Sequence, residues 1–584
     1  MVKTWLMWTQ TMKAKPSKSV SLGFKLFKKN NTNELFIPAG DTLYSPFDPC
    51  LTIDGQPIKF FFNPAEMDSF KAKHFKFLGR WIHYLVHEKE IKEKIRLLLL
   101  QDMELIEGAK INGFMKLWLY QFYVLSHLSW PFMINDLNKT FAQELQRTIN
   151  PQLKKWAGIG ETVDNGLLFR SKQKFGLGIT SIFDYFQRMQ LVKCELLRNS
   201  TDPSIRELFK TRERKNSNLS RIWKATNVYK VATAEVDLDI KFPSQHSNQG
   251  IGFGNFTPNP TPSQKRKLIT AKAASFSEEA RLAHTLSLKQ QSVWLQWAEV
   301  SEPFDLSWRN LIWGSLSTHV LKFVLNATVN WVRTPALLHL WGYKQDCCCC
   351  LCGANKCTLH HVLSNCNFSL NSGRYTWRHN SVLALISQSI QDYLCYINNQ
   401  QQSESVNVIQ FVKAGASQHT LKSKRKQRHS NGNMLSNASD WKMLVDVPGV
   451  NFVFPPEIFN TNERPDIVIW SAKLKKVLLI ELTCLAEEGF TAAQIRKQSR
   501  YSPLQNEICR QTNWKTTVLT MEVGVRGFVS LTCQQVLRKL GMPHKSISRL
   551  CKQMSEISAR CSYTIYLAAN SQVWDTNRPL LEPI

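Results

Sequence analysis

Arg464-Pro465-Asp466-Ile467-Val468-Ile469-Trp470, a polar stretch from Ser471 to Lys476, and Val477-Leu478-Leu479-Ile480-Glu481-Leu482-Thr483 decide the architecture of the C-terminal quarter of the chain. Two aliphatic, β-branched runs on either side of a short polar segment form a β-hairpin. Asp466 and Glu481 are equidistant from its centre between Lys473 and Leu474. The symmetric register therefore sets them opposite each other, with Cβ atoms about 5 Å apart. Two acids embedded in Ile, Val and Leu repel each other and resist desolvation, and a bound Mg²⁺ removes both problems. From Ala486 to Arg500 the composition is helical, and Gln494, Lys497 and Tyr501 share one stripe, which lets Lys497 reach the hairpin. Local spacing alone leaves a second reading open, a structural hairpin with edge carboxylates, and by itself favours it.

Working outward, residues 439–584 alternate strand-like and helical segments in the manner of an α/β domain, whereas residues 397–438 turn to Gln, Ser, Asn, Gly and Lys, a linker composition. Within that linker, Lys422, Lys424, Arg425, Lys426 and Arg428 read as a solvated basic face or as a nuclear import signal. Residues 341–396 hold Cys349-x2-Cys352, then eight residues to His361, then four to Cys366, the spacing of a tetrahedral zinc site. Cys347, Cys350, Cys357 and His360 are alternative members, and a metal-free run of buried cysteines is the other reading. The next residues, Arg374-Tyr375-Thr376-Trp377-Arg378-His379, interleave cations with rings that can grip phosphates and stack on bases. The competing reading is a helix start with Trp377 in the core.

The rest divides into residues 1–85 with short strand-like runs, residues 86–240 with helical periodicity, a Gly/Pro-rich linker at 241–275, and a helical region at 276–340 opened by a Ser275/Glu278 capping box. A length of 584 residues accommodates roughly three to five domains. The 43% hydrophobic content, with 18 Trp and 32 Phe, excludes a wholly disordered chain. Lys+Arg at 74 against Asp+Glu at 45 leaves +29, which calls for a polyanionic partner, nucleic acid first. No run of about 18 apolar residues occurs, so no membrane partner is expected. Met1 to Gln10 lacks a signal-peptide cleavage site, so the chain is expected to stay inside the cell. Seven of the 15 cysteines fall between Cys347 and Cys366, which suits a metal site in a reducing compartment better than a disulfide framework.

The block from Phe454 to Phe528 (FPPEIF, RPDIVIW, KKVLLIELTC, AEEGF, AAQIRK, SRY and Val523-Gly524-Val525-Arg526-Gly527-Phe528) resembles the restriction-like endonuclease of site-specific non-LTR (LINE-type) retrotransposon polyproteins. CTLHHVLSNC running into GRYTWRHN resembles the CCHC zinc knuckle that precedes that nuclease. Met12 to Ser19 and Phe77 to Trp81 resemble the end of a reverse-transcriptase palm, and Trp118 to Pro131 with Lys154 to Gly158 resemble the thumb. The resemblance implies a multidomain α+β fold: a palm remnant, a helical thumb-like bundle, a small zinc knuckle, and a C-terminal α/β restriction-endonuclease-like domain with a mixed central sheet. It implies a Mg²⁺-dependent DNA endonuclease that nicks target DNA to prime reverse transcription. Asp466 and Glu481 would be the metal ligands and Lys497 the catalytic lysine, since Thr483 stands where the Pro-Asp…Glu-x-Lys arrangement has its own lysine. Arg464, Arg500 and Tyr501 would lie near the scissile phosphate, and Cys349, Cys352, His361 and Cys366 would hold a structural Zn²⁺. Target DNA and element RNA are the implied partners, with no small-molecule substrate, in the nucleus after passage through the cytoplasm. No Tyr/Phe-x-Asp-Asp pair precedes the palm-like segment, so an N-terminally truncated polyprotein without polymerase activity is expected. The alternative is a catalytically inactive DNA- or RNA-binding remnant.

Overall fold

Residues 88–135, 137–198, 200–214, 262–400, 433–447 and 452–575 are described in a computed structural model, together with short paired strands between residues 20 and 82 and at 242–243 and 256–257. The palm-like segment 1–85 and the bodies of both linkers otherwise lie outside the described residues. What is described is a mixed α/β architecture.

Helical periodicity in the first half produces α1 (Glu88–Gly108), α2 (Gly113–Leu119), α3 (Leu125–Ile134), α4 (Lys139–Ala157), α5 (Ile182–Arg198), α6 (Pro203–Arg214) and α7 (Pro262–Leu286). The Asn112 and Asn138 side chains start α2 and α4 by accepting the Met115 and Phe141 amides. Gly158, at φ +66°, ends α4 in the left-handed conformation that a side chain disfavours. The expected linker at 241–275 is helical over its last residues, because α7 begins at Pro262. Ser275 is therefore interior to α7 rather than its cap, and Glu278 instead accepts from Arg170 Nε and the Ser171 amide, both at 3.0 Å. The expected helical region at 276–340 includes two separate helices, Trp308–Trp313 and α8 (Thr318–Thr328), divided by Gly314 and restarted by the Ser317 cap.

A six-stranded mixed sheet contains β1 (Ser301–Glu302), β2 (Lys442–Val445), β3 (Ile467–Ser471), β4 (Lys476–Leu485), β5 (Lys515–Gly524) and β6 (Val529–Ser530), in the spatial order β1-β6-β5-β4-β3-β2. β4 and β5 run parallel and the other neighbouring pairs antiparallel. Helices cover both faces, as the unbroken burial of β3 demands. Ile467, Ile469, Leu478, Ile480 and Leu482 point to one face, beneath α9 (Arg374–Gln400), α11 (Leu531–Leu540) and α12 (His544–Leu567). Val468, Trp470, Val477 and Leu479 point to the other, beneath α10 (Phe490–Gln511). The edge strand β1 comes from the region expected to be purely helical, and α9, expected to belong to the knuckle, buries Val382, Ile386, Ile390 and Leu394 on the sheet. Leu435 and Ala438, expected in the linker, are buried in the same core.

The bundle and the sheet share a second core, at which Phe175, Trp297 and Phe528 cluster with centroids 5.0 and 5.2 Å apart. Arg526 lies across it, fully buried. Its Nη1 donates to Glu487 at 2.8 Å, its Nε to the Ala327 carbonyl at 3.0 Å, and its guanidinium stacks on Trp297. The Glu487 carboxylate also accepts the Arg526 amide at 2.6 Å, so the pair is satisfied on several sides. Removing one member strands the other charge, at a cost of about 3–5 kcal/mol, whereas exchanging both for apolar groups strands no charge and leaves only the residue 526 amide and the Ala327 carbonyl without their side-chain partners. Arg526→Ala should therefore lower the melting temperature sharply, and the double variant Arg526→Met/Glu487→Leu should recover part of the loss in the same thermal melt.

At the end of α1, Glu107 receives Lys155 at 2.5 Å, the Trp156 indole at 2.6 Å and Lys116 at 3.1 Å, which ties α1 to α2 and α4. Lys155, Trp156 and Lys116 hold the carboxyl down to about 2. A depressed carboxyl adds stability above its ordinary value of 4.5 and loses it as pH falls through about 2. The melting temperature of Glu107→Gln should lie below wild type by a constant margin at neutral pH, and that margin should close between about pH 4.5 and pH 2.

Candidate functional site

The cysteine-rich segment folds around a left-handed glycine. The Gly353 amide bonds the Cys349 carbonyl and the Cys349 amide bonds the Ala354 carbonyl, both at 2.9 Å, with Gly353 at φ +73°. This tight loop aims Cys349 and Cys352 the same way. His361 opens a helical turn to Asn365 and Cys366 closes it, so that all four ligand atoms lie within 4.8 Å of one another. Cys352 Sγ and His361 Nε2 are 3.3 Å apart. Burial would raise the Cys349 thiol, but the amides of Cys352 and Leu351 pull it down to about 6. Three sulfurs and one imidazole, largely buried, suit a tetrahedral zinc ion, and this is the cluster of three or more such ligands among the described residues. Cys347, Cys350 and His360 fall away from it, whereas Cys357 stays beside Cys349. Cys347 donates to the Asn355 carbonyl, Cys350 turns to Asn570, His360 is exposed, and burial pushes Cys357 up to about 12.

The interleaved cations and rings after the knuckle do not form a nucleic-acid surface. Arg374 and Arg378 are fully buried. Arg374 Nη1 donates to the Ala568 carbonyl at 2.7 Å and Nη2 to the Ser571 carbonyl at 2.5 Å, while Arg378 Nη2 reaches the Leu363 carbonyl at 2.9 Å. The Tyr375 hydroxyl accepts the Cys366 amide and donates to the Val362 carbonyl, both at 3.0 Å, and Trp377 packs edge-on to Trp574. These side chains bind the knuckle to the end of α12. The physical reason is helical spacing: residues 374, 378, 382, 386, 390 and 394 make one inward stripe of α9.

At the other site the symmetric register is observed, because Ile467 pairs with Ile480 and Ser471 with Lys476. Asp466 lies just beyond β3, and its amide approaches Glu481 Oε1 at 3.3 Å while its Oδ2 accepts the Leu482 amide at 2.8 Å. Glu481 faces α10, from which Lys497 Nζ reaches its Oε2 at 2.6 Å. Glu481 is 1% exposed, and both burial and the Asp466 charge raise its carboxyl above the ordinary range. Tyr501 is buried and donates to the Arg464 carbonyl at 3.2 Å, with burial and then Glu481 raising its hydroxyl. The two arginines do not join them. Arg464 pairs with Asp446 at 2.6 Å and Arg500 with Glu463 at 3.2 Å, each half exposed.

One residue at this site is not marked by the sequence pattern. His379, on α9, brings Nε2 to 3.5 Å from Asp466 Oδ2 and 3.3 Å from the Leu482 carbonyl. Burial would lower its imidazole, but the hydrogen bond and charge of Asp466 hold it above the ordinary histidine range. The contact joins residues 87 positions apart, across two elements, and no local signal announces it.

No protein-family model and no curated protein matches the chain.

The geometry makes the zinc set testable. The purified chain should carry one zinc, lost on Cys349→Ser, Cys366→Ser or His361→Ala and kept on Cys347→Ser or Cys350→Ser, as metal analysis of each variant would read.

Proposed function

We propose that the chain is a metal-dependent DNA endonuclease on a zinc-stabilised nucleic-acid-binding scaffold, as its resemblance to non-LTR retrotransposon polyproteins implies. The observation that carries the reading is that Glu481 meets Lys497 Nζ at 2.6 Å and the Asp466 amide at 3.3 Å at the end of the hairpin, where the register sets the two acids opposite each other. The hard oxygen donors of the two carboxylates suit Mg²⁺, which would compete for them with Lys497 and His379. Asp466 and Glu481 would hold the ion. When bound, it supplies charge for the scissile phosphate and makes a coordinated water more acidic. Lys497 orients the attacking water beside Glu481, and Tyr501 fixes the turn before β3 through the Arg464 carbonyl. The half-exposed Arg464 and Arg500 flank the site, and approaching phosphate would compete with their carboxylate partners. Target DNA and element RNA are the proposed partners, and the nucleus the proposed location.

A second reading, the binding remnant without cleavage, is favoured by one feature: Glu481 and Asp466 already have protein partners in Lys497 and His379. The two readings separate in a nicking assay on supercoiled plasmid with Mg²⁺. The first expects nicked circles, abolished by Asp466→Ala and slowed roughly 10²–10⁴-fold by Lys497→Ala. It also expects Mg²⁺ to raise the melting temperature of wild type and not of Asp466→Asn. A folded, zinc-loaded protein that neither nicks DNA nor responds thermally to Mg²⁺ leaves the second reading standing.

A further inference from the structure

A groove of about 1170 Å³ opens between the end of α4, α8, the segment leading into the knuckle and the C-terminal helix α12, away from the hairpin carboxylates. Its floor is made thin by two glycines. A Cβ on Gly158 would fall 2.3 Å from the Lys322 stem, and one on Gly160 would fall 1.5 Å from the Trp331 indole nitrogen. Asn326 fastens that floor, donating to the Gly158 carbonyl at 2.8 Å and accepting the Gly160 amide at 3.2 Å. Buried Lys154 holds the rest of the loop through the Glu161 and Val163 carbonyls.

One wall is a run of rings. Trp331 and Trp341 have centroids 4.4 Å apart, and Trp341 meets Tyr343 edge-on at 6.4 Å. Tyr343 is 80% exposed, so its ring is open to a ligand. The Tyr343 amide bonds the Leu338 carbonyl at 2.9 Å across Gly342, whose φ of +77° permits the turn, so the exposed ring is held by the backbone. The cations Lys322 and Arg333 rim the same space, with His319 beside them, against a single acidic lining residue, Glu161. Arg333 is set in place through its carbonyl, which accepts the Tyr566 hydroxyl at 2.9 Å.

We propose that this groove is a binding site for single-stranded nucleic acid, with bases stacked on Trp341 and Tyr343 and phosphates on Lys322 and Arg333. Exposed ring faces beside fixed cations match the two surfaces of an unpaired strand, the base face and the backbone. A duplex hides its base faces within the stack and would meet only the cations. The inference goes beyond the proposed nuclease and does not depend on it, because the groove and the carboxylate pair share no residue.

The test is fluorescence anisotropy of the full chain with labelled oligothymidylate, oligouridylate and a duplex of equal length. The chain carrying Glu481→Gln serves as background, so that cleavage cannot enter the readout. Tyr343→Ala and Trp341→Ala should each weaken single-strand binding about tenfold. Arg333→Gln should weaken it and lower the salt slope by about one. Duplex binding should be weaker and unmoved by the two ring substitutions. Because Tyr343 is exposed, its variant keeps the wild-type melting temperature. Unchanged single-strand affinity in Tyr343→Ala/Arg333→Gln with that melting temperature retained overturns the proposal, and so does an equal loss for duplex.

Discussion

Everything at the hairpin depends on strand register. β3 and β4 pair so that Ile467 meets Ile480, and this alone places Glu481 on the face of the sheet covered by α10. A slip of one residue would turn every β4 side chain over and bring Glu481 among Val382, Ile386 and their neighbours, where no lysine could meet it. The register is fixed at both ends. At the turn, Lys475 adopts φ +49°, Asp440 accepts the Ser471 hydroxyl at 2.6 Å and the Lys473 amide at 2.9 Å, and the Lys475 carbonyl accepts the Lys515 amide at 2.7 Å. At the open end the Leu482 amide binds the Asp466 carboxylate. Between them, Ile467 and Ile469 fill one core while Val468 and Trp470 fill the other, so each residue votes for the same pairing.

The cysteine cluster and the hairpin are connected through one helix. Tyr375, which ties the knuckle at Cys366 and Val362, and His379, which touches Asp466, stand four residues apart on α9, on adjacent turns. A zinc ion closing the Cys349–Cys366 set would order the turn that Tyr375 grips, and would thereby stiffen the start of α9 and the position of His379. The knuckle is thus built into the framework of the catalytic candidate rather than hung beside it, and it shares a continuous core with the bundle helices and with α12.

How much of this was legible follows from the range of the interactions. The hairpin, its register and the reach of Lys497 were readable because alternation, symmetry and helical stripe are local properties of the chain. The four-ligand set was readable for the same reason, its members falling within 18 residues. The start of α7 was not readable, since Pro262 at a first helical turn looks the same in sequence as Pro262 in a linker. β1 could not be found, because two residues gain strand character only from β6, more than 200 positions later. The misreading of Arg374 and Arg378 has another cause. Their spacing of four continues into Val382 and Ile386 and marks the inward stripe, and a guanidinium is buried there because carbonyls at a helix end receive it.

That misreading bears on how net charge is to be read at all. The +29 balance counts Arg374, Arg378 and Arg526, yet none of the three meets solvent. Arg374 and Arg378 bond mainly to backbone carbonyls and Arg526 to Glu487, so they cement helices together and do little for a phosphate outside. The cations able to act on a polyanion are those left at the surface near stacking rings or near the carboxylate pair, such as Arg333 at the groove rim and Arg464 and Arg500 beside the hairpin. Composition sets the sign of the partner, but only burial decides which positive charges that partner can find.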